Sequence, residues 1–280
     1  MKIYKNIKKI SSAIDFFKKK GRIIGFVPTM GFLHDGHLSL IKRARRDADL
    51  VVVSIFVNPI QFGPKEDFEK YPRDLKRDLA ICKDAGVDMV FVPDRESMYP
   101  RGFCTYVNVE GLTETLCGAK RPGHFRGVAT VVTKLFNIIK PDIAYFGQKD
   151  AQQAIIIKRM VEDLNMGIKI KVMPIVREKD GLAMSSRNVY LNPEERRKAL
   201  CLYNSLKLAE DLYKKGERNA KNIIEAMKEV ILKEDNVKID YVSIVDLDTL
   251  RDMDFIDKDA LVAVAVWVGS TRLIDNIVLT

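Results

Sequence analysis

Histidine and glutamine are scarce in this chain of 280 residues: there are three His (His34, His37, His124) and four Gln (Gln61, Gln148, Gln152, Gln153). Cysteine is as rare as glutamine. Cys82, Cys104, Cys117 and Cys201 lie far apart with no C-x-x-C pair, which excludes a zinc-ribbon spacing and argues against a disulfide scaffold. Reduced, buried thiols are expected instead. No apolar run approaches the roughly 18 residues of a membrane span. The longest, residues 260–268, has the length of a strand. The N-terminal twenty residues are interrupted by Lys throughout and contain no apolar h-region, so no secretory signal is expected. There is no G-x-x-x-x-G-K-[ST] loop and no G-x-S-x-G elbow, which disfavours a Walker-type NTPase and an α/β-hydrolase. A soluble, cytoplasmic protein is the expectation.

What is present begins with charge. Lys plus Arg number 47 against 38 Asp plus Glu, a net of +9. That excess suits nucleic acid, a membrane surface, a nucleotide or a carboxylate, and does not choose among them. Hydrophobic residues make up 47%, enough for a sizeable core. In the first half short apolar runs (22–28, 50–57, 88–93, 143–146, 168–176) alternate with helical patterns (37–48, 71–85, 127–139, 150–164). Strands apolar on both faces and separated by helices predict a parallel sheet with right-handed crossovers. After about residue 177 two helical stretches (193–215, 219–234) precede three strand-like runs (239–245, 261–268, 271–279). The expected class is α/β: a Rossmann-like parallel-sheet domain over 1–176, followed by a smaller α+β C-terminal domain over 177–280.

The rare residues cluster at strand-to-helix turns. Pro28-Thr-Met-Gly-Phe-Leu-His34-Asp-Gly-His37 follows the first strand, with Asp35 or Gly36 expected near the helix N-cap. Ligands bind at the carboxyl ends of strands in open α/β sheets, where free N–H groups and the helix dipole favour phosphate. Two His three residues apart can both donate to phosphate oxygens; a metal pair is the rival reading, with no third His or Cys to support it. Asn58-Pro-Ile-Gln61 follows the second strand and offers amides to a small polar substrate. Gly147-Gln148-Lys149-Asp150-Ala-Gln152-Gln153 supplies a compact cation and three of the four Gln. Gly181-Leu-Ala-Met184-Ser185-Ser186-Arg187-Asn188 brings two hydroxyls and a guanidinium suited to a polyphosphate. Lys120-Arg121-Pro-Gly-His124-Phe-Arg126-Gly127 reads as a basic turn or a mobile flap. Six of the seven His and Gln residues would thus lie at one sheet edge. The residues point to an enzyme acting on a nucleotide phosphate and a small polar co-substrate. The alternatives are another adenylyl transferase, or a nucleic-acid-binding protein needing clustered basic and stacking side chains.

In order along the chain, P-T-M-G-x-L-H-x-G-H (28–37), F-V-N-P-x-Q-F (56–62), R-P-x-H-F-x-G-V (121–128), F-G-x-K-D-x-Q-Q (146–153) and D-G-L-A-M-S-S-R-N (180–188) resemble the pantothenate synthetase (pantoate–β-alanine ligase) family, within the H-x-G-H nucleotidylyltransferases. The resemblance implies an ATP-dependent ligase that makes pantoyl adenylate and then pantothenate, for coenzyme A synthesis. It implies His34, His37 and Lys149 as the catalytic groups. It places Met30, Gly31, Gly147, Asp150, Val176, Met184, Ser185, Ser186 and Arg187 with them at ATP, and Met30, Gln61 and Gln153 around pantoate. Mg²⁺ would accompany ATP, with Asp78 as its candidate ligand. A homodimer is implied, with no nucleic-acid or membrane partner.

Overall fold

In the computed structural model, which describes residues 1–64 and 66–280, the apolar runs at 22–28 and 50–57 form adjacent parallel strands. The elements begin β1 (Lys2–Tyr4), α1 (Ile7–Lys19), β2 (Ile24–Thr29), α2 (Asp35–Asp47), β3 (Leu50–Ile55), α3 (Leu75–Asp84), β4 (Met89–Phe91) and α4 (Arg95–Met98). They continue α5 (Leu116–Lys120), α6 (His124–Ile139), β5 (Ile143–Gly147), α7 (Ala151–Asp163) and β6 (Lys169–Met173). The remainder is α8 (Pro193–Lys198), α9 (Leu200–Lys214), α10 (Ala220–Ile231), β7 (Val237–Asp246), β8 (Ala260–Val268) and β9 (Thr271–Leu279).

The chain packs as two units: residues 1–110, 121–147 and 156–174 form the first, and 111–120, 148–155 and 175–280 the second. The first holds a six-stranded sheet in the order β1-β4-β3-β2-β5-β6, with every pairing parallel. This is the Rossmann-like arrangement that the alternating runs predict. Strand order reverses between β2 and β5, which pair at Gly25–Ile143 and Phe26–Ala144. That switch point is where such sheets open a crevice at their carboxyl ends. All six residues of β3 are buried, and Val27, Ile41, Val51, Val53 and Val90 lie in one apolar cluster. Each such side chain contributes on the order of 1.5–3 kcal/mol by leaving water.

The second unit contains an antiparallel β7-β8-β9 sheet. Leu206 of α9, Ile223 and Met227 of α10, and Val262, Val264 and Leu273 of the sheet share its core. The predicted helix over 193–215 is two helices, α8 and α9, divided at Ala199. The helix predicted from residue 71 starts at Leu75, because Asp74 accepts the Arg77 N–H and caps it. Two N-terminal elements carry no clear sequence signal: β1, a three-residue edge strand, and α1, which buries only Ile10 and Ile14 beneath a Lys-rich surface. All four cysteines are free thiols, and burial pushes Cys82 and Cys201 up to about 12. Three of the four are buried; Cys104 is exposed. Among the described residues no helix is long and apolar enough to cross a membrane.

One carboxylate ties the last turn of α2 to the sheet. Asp47 Oδ2 accepts from Lys171 Nζ on β6 at 2.7 Å, Arg43 Nε at 2.8 Å and the Tyr145 hydroxyl of β5 at 3.0 Å. The Lys171 hydrogen bond leads in holding its pKa down at about 2, helped by Arg43 and Tyr145. A depressed carboxylate stabilises the fold above its unfolded pKa, and that contribution is lost as pH falls through the folded value. Asp47→Asn is therefore expected to lower Tm at neutral pH by about 2–4 °C. Its difference from wild type should shrink between about pH 4 and pH 2. Thermal melts across that range check this; a constant difference contradicts it.

Candidate active site

The loop between β2 and α2 is held by side chains that satisfy its main chain. Thr29 Oγ1 accepts the Gly31 N–H at 3.1 Å and donates to the Ser54 carbonyl at 2.7 Å. The Asp78 carboxylate, 1% exposed, reaches across from α3: Oδ2 accepts the Phe32 N–H at 2.8 Å and Oδ1 the Leu33 N–H at 2.7 Å. Gly31 has φ +84°, and a Cβ there would lie 2.9 Å from Asp78 Oδ2. Phe32 also takes a positive φ, 50°. The chain makes this sharp turn because the carboxylate collects its two N–H groups.

His34 is the N-cap of α2, where Asp35 or Gly36 was expected. Its Nδ1 accepts the Gly36 N–H at 3.1 Å, and His37 Nδ1 accepts the His34 N–H at 3.3 Å, a reciprocal capping box built from two imidazoles. A ring nitrogen that accepts carries no proton, so the neutral tautomer of each ring keeps its hydrogen on Nε2. The ring centroids lie 4.1 Å apart, with the planes tilted 49° to one another. A Cβ on Gly36 would come within 2.8 Å of the His34 ring, so glycine is required for this cap. The result is two Nε2–H donors, side by side, at a helix N-terminus that favours negative charge.

Gln61 lies next to Met30: its Nε2 is 3.1 Å from the Met30 sulfur. Asn58 Nδ2 donates to Gln61 Oε1 at 3.0 Å, and the Tyr99 hydroxyl donates to Asn58 Oδ1 at 2.7 Å. The amide is thus oriented through Asn58. The basic segment expected as a turn or flap is a turn over 121–123 leading into α6, and it is anchored. Arg121 Nε donates to Glu66 Oε1 at 2.8 Å, His124 Nδ1 lies 2.8 Å from the Gln61 carbonyl, and the Arg126 guanidinium stacks on Tyr106. Gly147 ends β5, the sheet neighbour of β2.

The remaining expected residues belong to the second unit. Lys149 and Asp150 lie in the 3₁₀ turn Gln148–Asp150, with Lys149 Nζ 3.7 Å from Asp150 Oδ1. Gln153 is half-buried on the first turn of α7. The Met184 N–H donates to the Val176 carbonyl at 3.0 Å, closing a hairpin that brings these two residues together. Ser185 caps the following 3₁₀ turn by accepting the Arg187 N–H, and Ser186 is buried.

Scarcity misled for two glutamines. Gln152 is buried, accepting the Cys117 N–H and donating to the carbonyls of Leu112 and Thr115. Gln148 Nε2 donates to Asn276 Oδ1. Both serve the fold. Asp78 likewise spends each oxygen on a main-chain N–H, which is not the donor set of a cation ligand. Among the described residues no three His, Cys, Asp or Glu side chains converge as a metal centre would need. The described residues therefore build no all-protein cage for Mg²⁺. Asn58, expected with Gln61 to offer its amide to a substrate, donates to Gln61 itself. Thr29 and Asn276 were not predicted as candidate site residues, and nothing in their sequence positions signals them.

The family model described as pantoate-beta-alanine ligase matches residues 2–278. A pantothenate synthetase from Acetivibrio thermocellus is 59% identical over 278 residues, covering 99% of both chains. Another from Thermotoga petrophila is 59% identical over 279 residues, covering 100% of both. The crystal structure of pantothenate synthetase from Thermus thermophilus superposes with a TM-score of 0.93 at 45% identity, over 99% of each chain. That of pantoate-beta-alanine ligase from Francisella tularensis, complexed with beta-gamma ATP and beta-alanine, gives 0.82 at 36% identity over 99% of this chain and 97% of that one. A family model spanning nearly every residue, and relatives of this identity matched end to end, place the chain in one family: it belongs to the pantoate–β-alanine ligases.

Proposed function

We propose that the protein condenses pantoate with β-alanine to pantothenate in two ATP-dependent half-reactions, for coenzyme A synthesis. The observation that carries this is the His34–His37 capping box, which spends Nδ1 of both imidazoles on the start of α2 and leaves the hydrogen of each neutral ring on Nε2. In the first half-reaction a pantoate carboxylate oxygen attacks the α-phosphorus of ATP. The bond from that phosphorus to the bridging oxygen breaks, and pyrophosphate leaves with the electron pair. In the second, the β-alanine amine attacks the acyl carbon, the carbon–oxygen bond to AMP breaks, and the amine releases a proton to solvent.

Both partners of the first step are anions, and a carboxylate needs no deprotonation at neutral pH. Catalysis then depends on orientation and charge neutralisation rather than on a strong base. In this reading His34 and His37 donate to phosphate oxygens and Lys149 holds the α-phosphate through the displacement. Ser185, Ser186 and Arg187 take the departing phosphates. Met30 and Gly31 line the ATP site, with Gly147, Asp150, Val176 and Met184 at the nucleoside end. Met30, Gln61 and Gln153 frame pantoate, and the Asn58-oriented amide of Gln61 supports that role. Residues 1–176 would bind ATP and pantoate, and 177–280 would form the C-terminal domain. A cytoplasmic homodimer, without nucleic-acid or membrane partners, belongs to the same reading. Mg²⁺ accompanying ATP would not be held by Asp78.

Four outcomes test this. Purified protein should exchange pyrophosphate into ATP only when pantoate is present; exchange without pantoate, or none with it, removes the ligase reading. His37→Asn keeps an oxygen to accept the His34 N–H but removes the Nε2–H. Steady-state kinetics should show kcat reduced about 10²–10³-fold, the usual cost of one transition-state donor, at nearly unchanged Tm. Lys149→Ala should lose at least as much. Asp78→Asn turns an amide N–H against one of the two loop N–H groups, so Tm and kcat should both fall while the Mg²⁺ concentration for half-maximal rate stays put. A large rise in that concentration would restore Asp78 as a metal ligand.

A further inference from the structure

The last strand carries two adjacent buried polar residues, Asp275 (2% exposed) and Asn276 (3%). β9 pairs only with β8, so it is an edge strand. Neighbours on a strand point to opposite faces. Each of these two grips a different segment that the ligase reading makes catalytic. Asn276 Nδ2 donates to the carbonyls of Gln148 and Lys149, at 2.9 and 3.0 Å, while its Oδ1 faces Gln148 Nε2 at 3.4 Å. One amide thereby fastens the turn that carries Lys149 using both of its N–H donors and its carbonyl oxygen.

Asp275 faces the other segment. It takes a two-point bond from Arg177, Nη1 to Oδ2 at 2.6 Å and Nη2 to Oδ1 at 3.0 Å. Arg177 Nη1 also donates to the Gly181 carbonyl at 3.0 Å, at the tip of the Val176–Met184 hairpin. Its guanidinium lies over the Tyr203 ring. The Asn276 N–H donates back to Asp275 Oδ1 at 2.8 Å, joining the two grips. Burial raises the pKa of Asp275, while Arg177 and, further off, the charge of Lys149 act against it.

We propose that Asn276 and Asp275 are positioning residues of the adenylation step. Asn276 sets the turn that aims Lys149, and Asp275 acts through Arg177 to set the loop bearing Met184, Ser185, Ser186 and Arg187. The proposal rests on the ligase reading of those residues. It gives a reason for buried polar groups in a strand where apolar ones would pack at less cost.

The test pairs kinetics with a readout that needs no activity. In Asn276→Ala, hydrogen exchange followed by mass spectrometry should show faster exchange in peptides from 148–155, with 260–268 unchanged. In Asp275→Asn the faster exchange should fall in 176–188. Pantoate-dependent ATP–pyrophosphate exchange by Asn276→Ala should lose about tenfold or more in kcat with KM for ATP and pantoate within about threefold, since a small misplacement of a catalytic group acts on the reacting complex. Asn276→Ser, which keeps one donor, should recover part of that loss. Asn276→Asp, which keeps only acceptors, should not. Unchanged exchange in the named peptides, or wild-type kcat despite their loosening, overturns the proposal. So does loosening spread over the whole second unit with a general fall in Tm, which would mark an ordinary structural role. If wild type shows no pantoate-dependent exchange, the ligase reading fails by itself, and hydrogen exchange alone decides whether β9 fixes the two segments.

Discussion

A single buried carboxylate governs the shape of the loop that presents the histidines. Asp78 accepts the N–H groups of Phe32 and Leu33, one on each oxygen, and so collects two donors that a tight turn leaves without helix or sheet partners. Together with the Thr29 hydroxyl that accepts the Gly31 N–H, that acceptor holds the positive φ values at Gly31 and Phe32. Burial raises the pKa of Asp78, and the two main-chain bonds counter it by favouring the charged form. The anion is stabilised by the backbone it shapes.

From that turn the start of α2 follows. A helix begins with N–H groups that lack partners, and Ser, Thr, Asp or Asn usually supplies the acceptor. Here two imidazoles supply it. Using Nδ1 for the cap fixes ring orientation and proton position in one stroke, so local stability and donor geometry come from the same bonds. A glycine at position 36 is the steric condition for it. The amide of Gln61 is set in a comparable way through Asn58 and Tyr99.

The parallel sheet was legible because its strands are apolar on both faces, as β3 is throughout. The histidine pair was legible because its residues are close in sequence at a strand-to-helix turn. The Met30–Gln61 contact joins two motifs that both follow neighbouring strands. What stayed hidden is set by tertiary partners. Asp78 is an acidic residue on the first turn of a helix in sequence, and only the fold reveals that its oxygens belong to a loop 45 and 46 residues earlier. Gln148 and Gln152 share a motif with Lys149, yet their amides face the carbonyls, N–H groups and side chains of the fold. Rarity marked where polar side chains are placed with purpose, without separating binding from bracing. The short β1 and the Lys-rich α1 have too little apolar surface for periodicity to register.

The bonds from Asn276 to the Gln148–Lys149 turn span 128 and 127 positions of chain. A ribosome making this protein completes the H-x-G-H turn and the lysine turn long before it makes the residue that secures the latter. Contacts of such separation form late, since the chain must close a large loop first. Unfinished or C-terminally clipped chains would thus carry every familiar sequence motif and still lack a fixed Lys149. The last strand supplies the final brace: the Gln148–Lys149 turn gains its Asn276 bonds only in a polypeptide made, and folded, through to β9.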